Sequence, residues 1–523
     1  MTAYLHADTV SAWLADGQEI ALLDVREHGQ YGEGHPFLAV NLPYSRLEIE
    51  APALLPRLDA RLVLLDDGDG VAELAAAALA VRGYGNLHLL QGGAPGWQAA
   101  GHTLFKGVNV PSKTFGELVE HHAGTPQVSA ETLQAWQAEG RAHVLLDGRT
   151  LAEHRKQTIP GAIPVPNGEL ALRIGALLNG PDEPVVVHCA GRTRSIIGAQ
   201  TLRELGLPNP VYALENGTQG WQLAGFALER GSAREVPARP RPALAGQARA
   251  NAVASAHGVP RLDASLAQAW LDDAARTTYV LDVRTDSEFA AATLPGARHA
   301  PGGQLVQATD HYIAVRRARV LLLDDDGIRA PLAAAWLRRL GFESAVVEDG
   351  IHAPLRVPHR QAARLPDAPR EWQAPDLRAQ ALPRILDARS SLAYRRAHPA
   401  GAVWTTRSRA ADALQGEASV LLLAPDAAVA ALLADTLKAL GATVQGWTTW
   451  AAWQESGLPR AASPGVPDDQ AAIDTLFFVH DRHDGNLDAA RAYLAWETAL
   501  IEQCSAQELA QFRLGPAHGV AAA

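Results

Sequence analysis

Short apolar runs alternate with amphipathic stretches of helical period along most of the chain. The run at residues 185–188 consists of three valines and a histidine, which indicates a buried strand, and a helical pattern starts at Ser195. Helices of about 10 to 15 residues between such runs are typical of βαβ units, whose parallel sheet is covered on both faces. The pattern therefore predicts an α/β fold in which ligands bind at the carboxyl ends of the strands.

Four sequence markers recur in the same order four times, which indicates an internal repeat. The first is an Asp-x-Arg group at the end of an apolar run, at residues 24–26, 147–149, 282–284 and 387–389. The others are a turn rich in Pro or Gly, a second apolar run that ends in a short loop, and a closing Gly followed by Trp or Ile. We predict four small domains, each with a mostly parallel sheet flanked by helices, and a helical tail: residues 1–105, 125–232, 260–365, 372–460 and 461–523.

Length and composition agree with several globular domains in one chain. The 523 residues are 47% hydrophobic and 20% charged, and they exceed what one core usually holds. A net charge of −11 gives no reason to expect binding to nucleic acid or to an anionic membrane. No apolar run is long enough for a transmembrane helix, no signal-peptide pattern is present, and the two cysteines cannot form a disulfide framework. We expect a cytoplasmic protein.

The candidate chemistry lies in the loop that follows the run at residues 185–188 and begins with Cys189. A thiol between a strand end and a helix start faces converging backbone N–H groups, which favour the nucleophilic thiolate. Alignment of the apolar runs places Asp67, Asp325 and Pro425 opposite Cys189 in the other repeats. An aspartate there is expected to satisfy the loop N–H groups with its own carboxylate. Only the second repeat is therefore predicted to be catalytic.

The markers of the second repeat together resemble the rhodanese, or thiosulfate sulfurtransferase, domain. The resemblance rests on residues 147–149, 159–162, 189–194 and 220–221, and the whole chain is similar to bacterial proteins with four tandem rhodanese domains. It implies that Cys189 takes a sulfane sulfur from a small anionic donor such as thiosulfate and passes it to cyanide or a thiol, with a protein acceptor also possible. The intermediate is a covalent cysteine persulfide, and no metal or other cofactor is implied. Gln157 and Thr158 depart from the family, which often has Gly-His there.

The loop after Cys189 is predicted to bind the anionic sulfur. Backbone N–H groups, the helix dipole and two guanidinium charges supply the attraction, from Ala190, Gly191, Arg192, Thr193, Arg194 and Ser195. Arg173 either reaches an anionic donor or lies on a solvated helix face, and its sequence position does not decide between these. Asp147 and Arg149 belong to the marker that all four repeats share, so we expect a structural role near the site.

Two other functions are compatible with the sequence. A sulfur carrier or scaffold would deliver the Cys189 persulfide to a protein partner. A cysteine phosphatase or arsenate reductase is disfavoured, because the four residues between Cys189 and Arg194 are one fewer than in the phosphatase signature. In the tail, Cys504 is interpreted as a helix residue rather than a resolving thiol. The histidines and aspartates at residues 480–484 are interpreted as a polar turn rather than a metal site.

Overall fold

Four small parallel sheets follow one another along the chain, as the computed structural model describes it for residues 2–358, 365–379 and 381–515. The predicted α/β class and the repetition are confirmed. Residues 359–364 of the predicted third repeat, residue 380 of the fourth and residues 516–523 of the tail lie outside the described residues.

Each of the first three sheets has five strands, and the strand that leads into the candidate loop is the middle one. All neighbouring strands in these sheets are parallel. In spatial order, the strands of the first sheet are Ala3–Leu5, Leu87–Leu90, Leu62–Leu65, Ala21–Asp24 and Ala39–Asn41. Those of the second sheet are Gln127–Val128, Val211–Leu214, Val185–His188, Val144–Asp147 and Ile163–Pro164. Those of the third sheet are Arg261–Leu262, Glu343–Val347, Arg319–Leu323, Thr278–Asp282 and Arg298–His299.

The fourth sheet is smaller. It has four parallel strands, in spatial order Val403–Trp404, Arg384–Asp387, Ser419–Leu423 and Thr443–Thr448. A separate antiparallel pair joins His398–Pro399 to Arg460–Ala461.

Helices cover both faces of the sheets, and this explains the uninterrupted apolar runs in the sequence. Every residue of the strands Leu62–Leu65, Val144–Asp147 and Val185–His188 is buried. In the second repeat, a capping box fixes the helix after the Asp-x-Arg group, because the Thr150 hydroxyl accepts from the backbone N–H of Glu153 and the Glu153 carboxylate accepts from that of Thr150.

The first repeat and the connection after it contain the helices Ala7–Ala15, His28–Glu33, Leu47–Leu54, Val71–Val81, Gly93–Ala99 and Val110–Ala123. Those of the second repeat and the linker after it are Ala130–Ala138, Leu151–Lys156, Leu170–Arg173, Thr193–Glu204, Gly217–Leu223 and Leu244–Ala256. The third and fourth repeats have Ala264–Asp272, Asp286–Ala291, Gly302–Gln307, Arg329–Arg339, Ala374–Ala379, Ser391–Arg396, Ala410–Leu414, Ala427–Ala439 and Trp450–Ser456. The predicted helical tail is present as Leu487–Thr498, Leu500–Gln503 and Ala506–Leu509.

The chain divides into two compact units. One is built from Met1–Asp16, Ile20–Val108 and Arg360–Phe478, and it holds the first and fourth sheets. The other is built from Gly17–Glu19, Asn109–His359 and Val479–Ala523, and it holds the second and third sheets together with the tail helices. Among the described residues, no helix has both the length and the apolar character that crossing a membrane requires.

Candidate active site

Cys189 lies at the carboxyl end of the middle strand of the second sheet. The strand ends at His188, and the next helix, Thr193–Glu204, begins four residues after Cys189; we call it the loop helix. Cys189 is 2% exposed, and its Sγ lies 3.7 Å from the Ser195 hydroxyl oxygen. The backbone carbonyl of Cys189 accepts a hydrogen bond from the N–H of Thr218. The predicted strand–loop–helix arrangement is thus present, with the thiol under the helix N-terminus.

Strand register identifies the residues that stand where Cys189 stands, and it corrects the alignment made from the apolar runs. In each repeat, the aspartate of the Asp-x-Arg group pairs with the last residue of the strand that leads into the loop. These pairs are Asp147–His188, Asp24–Leu65, Asp282–Leu323 and Asp387–Leu423, and Cys189 comes directly after His188. The counterparts of Cys189 are therefore Asp66, Asp324 and Ala424. The predicted counterparts Asp67, Asp325 and Pro425 each lie one residue too far along. A slip of one residue moves a side chain to the other face of a strand, so the correction changes which carboxylate faces the loop.

The carboxylates of Asp66 and Asp324 occupy the loops of their own repeats. Asp66 accepts hydrogen bonds from the N–H groups of Gly68 at 2.8 Å, Gly70 at 3.0 Å and Ala72 at 3.0 Å. Asp324 accepts from the N–H groups of Gly327 at 3.1 Å and Ala330 at 2.8 Å. The expectation that an aspartate satisfies the loop N–H groups thus describes these two residues.

The same N–H groups are available in the second repeat. By register, those of Gly68, Gly70 and Ala72 correspond to those of Gly191, Thr193 and Ser195, and within the described part of the chain these three have no hydrogen-bond acceptor. The loop around Cys189 therefore keeps a cradle of N–H groups, which an aspartate carboxylate fills in the first and third repeats.

The Asp-x-Arg pair has the same geometry in all four repeats. Arg149 donates to Asp147 from Nε at 2.9 Å and from Nη2 at 2.7 Å, and Nη2 also donates to the carbonyl of Gln157. The arginines 26, 284 and 389 make the equivalent bonds to their own aspartates and to a carbonyl eight residues further on. This repetition in modules without a cysteine supports the predicted structural role.

In two repeats, the remaining guanidinium nitrogen of this arginine, Nη1, bonds a residue of the loop. In the first repeat Nη1 of Arg26 donates to Asp67 at 2.6 Å, and in the third repeat Nη1 of Arg284 donates to Asp325 at 3.2 Å. Asp67 and Asp325 are thus partners of the arginine rather than ligands of the loop N–H groups.

Asp147 is the centre of a buried polar network behind Cys189. Its Oδ2 accepts from the Thr158 hydroxyl at 2.9 Å and lies 3.0 Å from Nδ1 of His154. Burial alone would raise the pKa of Asp147, but His188, Arg149 and His154 hold it well below its ordinary value. Burial lowers the pKa of His188 to about 4, so this neighbour of Cys189 is neutral at physiological pH. Thr158, which departs from the family pattern, therefore still bonds the structural aspartate.

The two loop arginines are paired with carboxylates, which the sequence did not reveal. Arg192 donates to Glu117 from Nε at 2.7 Å and from Nη2 at 2.8 Å, and it also bonds Glu120. Arg194 makes a two-pronged bond to Glu153 at 2.8 and 2.7 Å. Most of the positive charge assigned to the loop is thus balanced within the fold.

The pairing of Arg194 with Glu153 does not depend on the cysteine. Burial would lower the pKa of Arg194, but Glu153 and, to a smaller extent, Cys189 raise it above its ordinary value. The third repeat keeps a similar pair, in which Arg329 bonds Glu288 at 2.6 Å. Because that repeat has no cysteine, the pairing of arginine with glutamate is part of the scaffold.

The guanidinium group of Arg173 is already engaged within the fold and is not directed at a binding site for a sulfur donor. Its side chain is buried, Nε donates to Glu169 at 3.0 Å, and Nη1 donates to the carbonyl of Pro237. The alternative of a solvated helix face is also wrong for this residue. A role of Arg173 in anion binding stays a prediction that its observed contacts do not support.

Residues of the tail lie on the Cys189 loop, and sequence reasoning missed them. The carboxylate of Glu497 accepts from the Thr193 hydroxyl at 2.7 Å. Lys113, from the helix Val110–Ala123, donates to the Tyr493 hydroxyl, and its Nζ lies 3.7 Å from Glu497. Lys113 lies in the connection between the first and second repeats, and its side chain is only 16% exposed. The sequence predicted a helical tail but did not identify what the tail packs against.

The remaining tail candidates are the polar side chains at residues 480–484 and the thiol of Cys504. Among the described residues, no group of three or more His, Cys, Asp or Glu side chains is arranged to hold a metal ion. Asp484 bonds Lys156 at 2.8 Å, and His480 lies 3.2 Å from Asp481. Cys504 ends the short helix Leu500–Gln503, and burial raises the pKa of its thiol to about 12, which disfavours a thiolate there.

A family model shows what kind of modules these are. The model of the rhodanese-like domain matches residues 6–100, 129–224 and 263–353, which together exceed half of the chain. The chain belongs to the rhodanese-like domain family. The predicted resemblance is therefore confirmed, and the Cys189 loop lies in the second rhodanese-like match. The fourth sheet lies outside the matched residues, although its Asp-x-Arg pair has the geometry of the rhodanese-like repeats.

A solved structure that matches nearly the whole chain agrees with this assignment. The thiosulfate sulfurtransferase from Pseudomonas aeruginosa is 40% identical, with a TM-score of 0.88, over 98% of this chain and 99% of that chain. A rhodanese-related protein from Thermoplasma volcanium is 27% identical, with a TM-score of 0.18, over 20% of this chain and 97% of that chain. A search of the curated proteins gave no match.

Proposed function

We propose that this protein is a sulfurtransferase with one active site, in which Cys189 carries the sulfur. The observation that carries the proposal is the contrast at one loop position: the second repeat has a thiol where the others have Asp66, Asp324 and Ala424. The likeness to a thiosulfate sulfurtransferase at 40% identity over nearly the full length of both chains supports thiosulfate as the donor.

The reaction proceeds in two displacements at sulfur. The Cys189 thiolate attacks the outer sulfur of thiosulfate, an S–S bond forms, and the S–S bond of thiosulfate breaks as sulfite leaves with the electron pair. Cyanide or a thiolate then attacks the outer sulfur of the persulfide, and Cys189 leaves as a thiolate. Each step exchanges one bond for another, so no outside oxidant or cofactor is needed.

The loop amides carry most of the stabilisation in this scheme. The N–H groups of Gly191, Thr193 and Ser195 are in the position that binds the Asp66 carboxylate in the first repeat, and they would bind the anionic outer sulfur in the same way. Arg192 and Arg194 contribute less than the sequence suggested, because Glu117, Glu120 and Glu153 already balance their charge. Donors are therefore selected by fit to the amide cradle more than by total negative charge.

The test is a comparison of Cys189→Ala with Cys504→Ser, each assayed for transfer of sulfur from thiosulfate to cyanide. Cys189→Ala is expected to abolish transfer, and Cys504→Ser is expected to retain it. After incubation with thiosulfate alone, the wild type should gain the mass of one sulfur atom on the peptide that contains Cys189. Full transfer by Cys189→Ala would refute the proposal.

The same assay separates the alternative functions. A sulfur carrier would form the persulfide on Cys189 but transfer it slowly to cyanide and small thiols, and faster to a protein acceptor. A phosphatase would instead hydrolyse an aryl phosphate and form no persulfide.

A further inference from the structure

The tail helix, which we define as Leu487–Thr498, lies over the Cys189 loop. The loop glycine, Gly191, packs so closely against it that a Cβ atom there would come within 2.9 Å of the Tyr493 ring and 3.1 Å of the Glu497 carboxylate. A side chain at this position would therefore force the Tyr493 ring to shift. The tail is thus packed directly on the segment that forms the amide cradle.

The first and fourth repeats show this loop without a helix packed against it. In the first repeat, the loop residues 67–69 are exposed, and in the fourth repeat the loop residues 425–427 are exposed. In the second repeat the corresponding loop residues Ala190 and Gly191 are buried. In the third repeat Asp325 is exposed but Asp326 is buried. The repeat fold by itself therefore does not fix how far this loop is buried, and in the second repeat the tail helix packs against it.

Glu497 is the residue through which the tail helix holds the loop. It is fully buried, and its carboxylate accepts from the hydroxyl of Thr193, the first residue of the loop helix. Burial alone would raise the pKa of Glu497, but Lys113, Thr193 and Tyr493 lower it below its ordinary value, so the group is ionised. A hydrogen bond to an ionised acceptor is about twice as strong as a neutral one.

Lys113 supplies the charge that makes a buried carboxylate tolerable. Its Nζ lies 3.7 Å from Glu497 and 4.9 Å from the centre of the Tyr493 ring, and it donates to the Tyr493 hydroxyl. Removing either partner of such a buried pair leaves an uncompensated charge, which is costly. The Lys113–Glu497–Thr193 chain therefore joins three elements that are far apart in sequence.

We propose that Glu497 is a positioning residue for the sulfur-transfer site, because it latches the tail helix over the Cys189 loop through Thr193. This inference rests on the proposed function for its biological meaning, but the contact itself can be tested without sulfur transfer. Cys189 is 2% exposed, and its counterparts Asp66, Asp324 and Ala424 are 3%, 4% and 1% exposed, so the loop itself covers this position in every repeat. A reagent therefore reaches the thiol only when the loop moves, and the tail helix restrains the loop through Glu497 and Thr193. The latch thus sets how often the thiol is accessible.

The experiment measures alkylation of Cys189 by iodoacetamide in a Cys504→Ser background, where Cys189 is the only thiol. The rate is followed to the pH at which it no longer rises, because this plateau reports access rather than ionisation. Glu497→Gln is expected to raise the plateau rate about tenfold, the effect of losing one charge-assisted hydrogen bond. Thr193→Val should produce a similar rise, and the double variant should exceed neither by much, because both changes remove the same bond.

Glu502→Gln is the matched control, since it makes the same chemical change on an exposed residue of the next helix, Leu500–Gln503. Its plateau rate should equal that of the background. An unchanged rate in both Glu497→Gln and Thr193→Val would overturn the inference, and so would an equal rise in Glu502→Gln. Thr193→Val keeps the Lys113–Glu497 pair, so it tests the latch even where Glu497→Gln folds poorly. Loss of sulfur transfer in Cys189→Ser alongside these rates would support both proposals, whereas retained transfer would refute only the proposed function.

Discussion

Replacing Asp66 with alanine is expected to destabilise the loop of the first repeat by about 3 to 6 kcal/mol. The magnitude follows from the three N–H groups, of Gly68, Gly70 and Ala72, that the Asp66 carboxylate accepts at 2.8 to 3.0 Å. A hydrogen bond to a charged group contributes about 1.5 to 3 kcal/mol, and three bonds to one carboxylate add less than fully. Asp66 is 3% exposed, so water does not readily replace it.

The corresponding change in the second repeat should cost far less. Cys189→Ala removes a small buried thiol whose side-chain contact is the 3.7 Å approach to Ser195, and we expect a loss of about 1 kcal/mol. The cradle around Cys189 is held by its own backbone and by the tail helix, and it does not depend on the thiol. A larger loss of stability for Asp66→Ala than for Cys189→Ala would therefore show that the Asp66 carboxylate occupies the N–H groups of its loop, whereas the Cys189 thiol does not.

The assay is native-state hydrogen exchange, read by mass spectrometry on peptides that cover the strand, loop and helix of each repeat. Local opening free energies suit a chain of several modules, which need not unfold in one step. Asp67→Ala is the matched control, because this neighbour is 36% exposed and bonds Arg26 instead of the loop amides. A larger loss for Asp67→Ala than for Asp66→Ala would refute both the register and the cradle.

Two further predictions concern the scaffold, and a third concerns the second cysteine. Arg149→Lys and Arg389→Lys should each lower the local stability of their repeat by about 1 to 3 kcal/mol, because lysine cannot keep the two-pronged bond to the aspartate. Hydrogen exchange measures this loss, and equal effects in the two repeats would confirm a structural role. Glu204→Gln should destabilise the protein in urea at neutral pH, since Glu204 bonds Arg339 at 3.0 Å. Burial opposes the shift, but His257, Arg339 and Gln200 lower the pKa of Glu204 from 4.5 to about 2, so the advantage of wild type over Glu204→Gln should be full above pH 4.5 and vanish as the pH falls toward 2. Cys504→Ser should keep the wild-type rate of sulfur transfer, and a loss would identify Cys504 as an acceptor thiol.

Much of the scaffold was predictable because each module is held together by contacts close in sequence. The Asp-x-Arg pair spans two residues, and its further bond reaches a carbonyl eight residues on, so the same short markers produce the same geometry four times. The apolar runs predicted the strands, because helices on both faces bury every residue. The register between strands was not predictable in the same way. The runs that end in Asp66-Asp67 and Asp324-Asp325 leave one residue of ambiguity, and only pairing with the neighbouring strand removes it.

By itself, the sequence determined the α/β class, the number of repeats and the single cysteine in a loop between a strand and a helix. These follow from local periodicity and from residue types that repeat or fail to repeat. Only the tertiary structure decided the surroundings of that cysteine. Arg192 meets Glu117 across 75 residues, and Thr193 meets Glu497 across 304. Charge balance and burial depend on which distant segments pack together, and no local pattern near Cys189 encodes the carboxylates that neutralise its arginines or the helix that covers its loop.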